Sequence, residues 1–195
     1  MTPAVPGTLS SPRPDTLVFR PRTCPAPGTG YSAMMGAGIR SARDRYLEQV
    51  RALQRYLDVP LRSNQIEISL MRLAPLYEGL DSGDGTLDQC MALGLTPLAW
   101  SPLGAAALME RVRPRMDPDR AQRVRAELER LAAPRDATLV QAALAWLLAH
   151  PAGIIPLVGS TDPAHIREAA GATRVTLGRE EWYRLWVAAW GREVP

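Results

Sequence analysis

The run from Gly153 to Ala169 leaves this chain few choices of fold. An apolar stretch, Ile154 to Val158, lies between Gly153 and Gly159, with the length and punctuation expected of a buried parallel strand. Gly159-Ser160-Thr161-Asp162-Pro163 then turns the chain. Asp162 is a strong N-cap residue and Pro163 suits the first helical position, so a helix is expected to run on to about Ala172. A strand feeding straight into a capped helix leaves backbone N–H groups and the positive end of the helix dipole at the strand's carboxyl end. Such an end can hold an anion. An ordinary βα turn uses the same residues, and this run alone does not choose between the two.

Two similar units precede it. Asn64-Gln-Ile-Glu-Ile-Ser69 alternates strictly and predicts a strand. A short helix is expected between Gly85 and Gly94, with Gly94 as its C-terminal cap. Thr96-Pro-Leu-Ala-Trp-Ser101 predicts a second strand, ending in Pro102-Leu-Gly104. Helices are expected over Pro118–Leu131 and Thr138–His150, and a last one over about Arg179–Trp190. That last helix carries Trp182, Trp186 and Trp190 four apart, a spacing that reads as a packing stripe. Short strands separated by helices imply parallel βα units. Three strands are few for such a sheet.

Upstream the pattern changes. Over residues 1–45, seven prolines alternate with Ser, Thr, Gly and Arg, so an irregular, disordered segment is expected. Gly28-Thr-Gly30-Tyr-Ser-Ala33 matches a dinucleotide fingerprint in form, but no strand precedes it and it reads as chance. Order is expected from near Arg43, with Tyr46, Val50, Leu53 and Leu57 at helical spacing and Asp58-Val-Pro60 as the stop.

With 195 residues, 46% of them hydrophobic, the chain can bury a substantial core. Its formal charge is only +3, too small and dispersed to argue for nucleic acid. The arginines from Arg111 to Arg130 are interleaved with Asp117, Asp119, Glu127 and Glu129, which reads as a solvated, charge-balanced helix face. Cys24 and Cys90 have neither metal nor disulfide-framework spacing, so no metal site and a reducing cytoplasmic setting are expected. Met1 to Arg22 lacks an apolar core of signal-peptide length, and no later stretch looks able to span a bilayer.

Asn64-Gln-Ile-Glu-Ile-Ser, Leu98-Ala-Trp-Ser-Pro-Leu-Gly104 and Ile155-Pro-Leu-Val-Gly-Ser-Thr-Asp-Pro-Ala-His-Ile-Arg-Glu-Ala occur in this order with helices between. Together they resemble the C-terminal half of an aldo-keto reductase of the bacterial oxidoreductase type, over about Glu48 to Pro195. The resemblance implies an α/β fold: strands six to eight of a (β/α)8 TIM barrel, a partial barrel over residues 46–195. Functional loops would then lie at the carboxyl ends of the strands. It also implies NADPH as cofactor. Gln65 resembles the glutamine that bonds the nicotinamide carboxamide, an amide offering both donor and acceptor. Trp100 resembles the aromatic that stacks on the nicotinamide, a contact worth roughly 0.5–1.5 kcal/mol. Ser101, Leu103 and Gly104 resemble the turn beneath the pyrophosphate. Gly159, Ser160 and Thr161 resemble the loop at the adenosine 2′-phosphate, and Glu168 a residue on the adenine side. His165 stands where the family often carries arginine. A neutral imidazole can stack but cannot make a bidentate charged contact, so NADPH binding is expected to be weakened or lost. His165 as a plain exposed helical residue stays open beside that reading.

The family's acid chemistry uses a tyrosine tuned by lysine, aspartate and histidine from the other half of the barrel. No lysine occurs in this sequence, and Tyr31, Tyr46, His150 and His165 match none of those motifs. No catalytic residue is therefore assigned. Two functions are expected: the cofactor-binding half of an NAD(P)H-dependent carbonyl reductase, inactive alone, or a non-catalytic remnant. The remnant would bind dinucleotide or self-associate through exposed sheet edges.

Overall fold

A computed structural model of the chain describes residues 42–76, 85–104, 108 and 117–193. The irregular segment expected over residues 1–45, and the Gly28–Ala33 match within it, lie outside the described residues except for the first helix, which starts at Ala42. Helix α1 (Ala42–Tyr56) ends where proposed, ahead of Asp58-Val-Pro60. Gln54 closes the exit: its Oε1 accepts the Leu61 N–H at 2.8 Å and its Nε2 donates to the Val59 carbonyl at 3.4 Å. The apolar stripe of α1 is left open, with Leu53 exposed and Val50 only half-buried.

Three strands follow, β1 (Ser63–Glu67), β2 (Thr96–Trp100) and β3 (Ile155–Pro156), paired in parallel in the order β1-β2-β3. Gln65 is level with Leu98, and Leu98 with Ile155. Between β1 and β2 lies α2 (Thr86–Leu93), stopped by Gly94 at φ 64°, the left-handed turn that glycine allows. Helices α3 (Pro118–Ala132) and α4 (Leu139–Leu148) separate β2 from β3, and α5 (Pro163–Ala170) and α6 (Arg179–Trp190) come after it. The caps are those the sequence offers: Asp117 bonds the N–H groups of Asp119 and Arg120, and Thr138 with Gln141 forms a capping box.

Strand alternation sorts the sheet into two faces. Ile66, Ala99 and Ile154 point to the helices and are buried with Val124, Leu128, Trp146, Leu147 and Leu185 in one core. Gln65, Glu67, Leu98, Trp100 and Ile155 occupy the opposite face, where Trp100 and Ile155 stay 42% and 49% exposed. A smaller cluster of Val140, Leu144, Ala169 and Ala172 joins α4 to α5, with Leu103 packed against it.

Two strand expectations are corrected. The first strand stops at Glu67, because Ser69 pairs back with Arg72 and its hydroxyl accepts the Met71 N–H at 3.2 Å, closing a tight turn. The third is two residues long and not a buried run over Ile154–Val158; Ile155 and Val158 are exposed. It is an edge strand, uncovered on one face. Leu157 N donates to the Ala99 carbonyl at 2.8 Å, so Leu157 faces inward along the ladder and Pro156 faces the outer edge. Proline has no N–H to offer there, which blunts that edge.

The tryptophan stripe packs as proposed. Trp186 is buried, and Trp182 and Trp190 lie against the same core. Glu181, one turn into α6, joins that helix to the α3–α4 turn: it accepts the Gly178 N–H at 2.9 Å and pairs with Arg135 at 2.8 Å. The Gly178 N–H, then Arg135, hold the Glu181 carboxyl below its ordinary range. A carboxyl depressed on folding contributes stability above its unfolded pKa and loses it as pH falls through the folded one. Glu181→Gln is therefore expected to lower stability near neutrality and to flatten the decline between pH ~5 and ~3. Urea midpoints across pH read this; an unchanged acid limb would remove Glu181 from the account.

Candidate functional site

The carboxyl ends of β2 and β3 open into one cleft of about 830 Å³, within the size range of small-molecule sites. One wall is the turn after β2. Ser101 sits there at φ 49° and Gly104 at φ 63°, with the Gly104 N–H bonded to the Ser101 carbonyl at 2.8 Å. A left-handed serine costs about 1–2 kcal/mol, and such strain collects at working sites more often than elsewhere. Gly104 is held for a second reason: a Cβ there would lie 2.5 Å from Met71 Cγ.

The opposite wall is the loop from Leu157 into α5. Asp162 caps that helix, its Oδ1 accepting the Ala164 N–H at 2.8 Å, with Pro163 at the first position. Ser160 Oγ accepts the Asp162 N–H at 3.2 Å and lies 3.3 Å from His165 Nδ1, the donor in that pair depending on the imidazole tautomer. Asp162 Oδ2 is 3.9 Å from the same nitrogen. The floor is apolar, from Val140 and Leu144 of α4 and Ala169 of α5.

Trp100, Ser101, Leu103, Gly159, Ser160, His165 and Glu168 all line this cleft. The other three sequence-chosen residues do not. Gln65 is exposed on the open sheet face, level with Leu98, Gly104 is buried behind the turn, and Thr161 is exposed beside the loop. The sequence reading missed Val140 and Leu144. Helix α4 is apolar around most of its girth, with Val140 and then six consecutive residues, Ala142 to Leu147, all buried, so periodicity could not single out the cleft-facing pair.

His150 belongs elsewhere. Its Nδ1 accepts the Ala152 N–H at 3.2 Å and its ring lies 5.8 Å from that of Trp182, while burial pushes its pKa down. It lies in the turn just after α4 and does not line the cleft. Among the described residues no group of His, Cys, Asp or Glu could hold a metal ion, and no helix is long and apolar enough to cross a membrane.

Comparison with known proteins agrees with this arrangement. The chain is 41% identical over 148 residues to the 6-dehydroglucose reductase of Novosphingobium aromaticivorans, covering 76% of this chain and 45% of that protein. It is 35% identical over 148 residues to oxidoreductase YdhF of Escherichia coli, covering 75% of this chain and 45% of that one. The crystal structure of a thermostable aldo-keto reductase in complex with the inhibitor epalrestat superposes with a TM-score of 0.56 at 25% identity, over 71% of this chain and 43% of that one. The chain thus spans less than half the length of the relatives it matches. The family model for "Aldo/keto reductase family" matches residues 38–187, and with strands, turns and identity in agreement the chain belongs to the aldo/keto reductase family.

Proposed function

We propose that this chain supplies the dinucleotide-binding portion of an NAD(P)H-dependent carbonyl reductase, as strands six to eight of a (β/α)8 barrel, and that it does not turn over substrate by itself. The gathering of seven motif residues around one cleft at the strand tips carries the reading. The residues suit a dinucleotide: Trp100 offers an exposed ring face for stacking, and the Ser101–Gly104 turn brings backbone close to a pyrophosphate. Gln65, on the same sheet face as Trp100, would meet the carboxamide.

The proton-transfer step has no such support. A family tyrosine acts as acid through a neighbouring ammonium, and the sequence contains no lysine. Titrating the full chain with NADH or NADPH is expected to give a saturable change in nicotinamide fluorescence, with no aldehyde-dependent oxidation. Failure of both dinucleotides to bind would overturn the binding reading. Turnover that persists through rigorous purification would overturn the inactivity.

A second reading, self-association, rests on the uncovered sheet face of Gln65, Leu98, Trp100 and Ile155. Of the two outer edges, Pro156 blunts β3, which leaves β1 as the edge able to pair. Sedimentation at rising concentration tests it; a monomer throughout would end it.

A further inference from the structure

The cleft that receives the proposed dinucleotide is lined by one carboxylate, Glu168, and a second, Asp162, stands beside two of its lining residues, where a phosphorylated ribose would need cations. Among the described residues its only charged or titratable lining side chains are His165 and Glu168, and none of the described arginines lines it. Arg167, the nearest guanidinium in sequence, is two residues from His165 on α5, about 200° around the helix. Arg174 is turned toward Gly171.

The helix end is also partly answered. Pro163 brings no N–H to the first position, and Asp162 takes the Ala164 N–H at 2.8 Å. Its second oxygen lies 3.9 Å from His165 Nδ1, so a fixed negative charge stands beside Ser160 and His165 at the lip. A phosphate dianion placed there would meet like charge with no bidentate partner. A ribose hydroxyl would meet acceptors instead, the pairing by which an acidic side chain marks an unphosphorylated ribose while arginine marks a phosphorylated one.

We infer that this cleft selects the dinucleotide with a free adenosine 2′-hydroxyl over its 2′-phosphorylated form, with Asp162, His165 and Glu168 setting the preference. The inference rests on the binding reading above and deepens it. Asp162 is also the helix cap, so the test uses the other two positions. His165 is exposed, so its replacement is expected to leave the fold intact.

NADH and NADPH are titrated separately into the full chain by fluorescence, at low and at raised salt. NADH is expected to bind about tenfold tighter, the size of one lost charged contact, and the gap should narrow with salt. His165→Arg should bring NADPH to parity or beyond, and Glu168→Gln should narrow the gap in the same direction. NADPH binding as tightly as NADH, or tighter, in the unmodified chain overturns the selectivity and leaves the binding reading standing. A ratio unmoved by both substitutions overturns the assignment to these residues. Silence with both dinucleotides overturns the binding reading, and the selectivity falls with it.

Discussion

Trp146→Ala is expected to lower the unfolding free energy by about 3–5 kcal/mol, the upper range for removing a buried aromatic. Trp146 is 1% exposed, in the core between α4 and α6. Its ring stacks on Trp182 with centroids 5.1 Å apart and planes 12° from parallel. The two indoles also exchange bonds with each other's backbone: Trp146 Nε1 donates to the Trp182 carbonyl at 3.1 Å, and Trp182 Nε1 to the Trp146 carbonyl at 2.9 Å. Truncation opens a cavity and removes the indole donor from the Trp182 carbonyl. Trp146→Phe keeps a ring but loses the donor, and should cost about 1–3 kcal/mol. Urea denaturation followed by circular dichroism separates the two. A loss below ~1 kcal/mol for the alanine variant would mean that the α4–α6 seam does not hold the fold.

Gly104→Ala is the second large effect, and it joins stability to the site. Two costs add. The φ of 63° costs an L-residue about 1–2 kcal/mol. The new methyl would also lie 2.5 and 2.7 Å from Met71 Cγ and Cβ, and Met71 is itself buried, so overpacking adds about 1–3 kcal/mol. Gly94→Ala is the matched control. Its φ is 64° and nothing lies within 4 Å of the added carbon, so only the conformational cost remains. The difference between the two variants isolates the Met71 contact. Because Ser101 and Leu103 of the same turn line the cleft, Gly104→Ala should also weaken dinucleotide binding, whereas Gly94→Ala should not. Equal losses in both variants would show that the turn is free to move away from Met71.

Much of the helix layout was legible because its signals are local. The last helix, Arg179–Trp190, matches its expected range, and α5 starts on the Asp162-Pro163 cap. Caps and glycine stops act within one turn, so they survive any tertiary context. Strand ends were less legible. Ser69 has β-favouring neighbours, yet its hydroxyl prefers to close a turn on Met71. The run Ile154–Val158 reads as buried from composition alone, but burial depends on what covers it, and no periodicity carries that information.

The site divides the same way. By itself the sequence determined that Trp100-Ser101 stands where β2 gives way to a turn and that Gly159-Ser160 lies in the loop leading into the capped helix, although β3 stops three residues before Gly159, at Pro156. It also determined that the chain carries no lysine. Only the tertiary structure decided that those two turns share one cleft, that Val140 and Leu144 of α4 form its floor, and that Gln65 stands on the open face instead. It likewise set the Asp162 carboxylate beside Ser160 and His165. The reason is physical: cap, turn and periodicity are properties of neighbouring residues, whereas a cleft and its field arise between segments that only packing brings together.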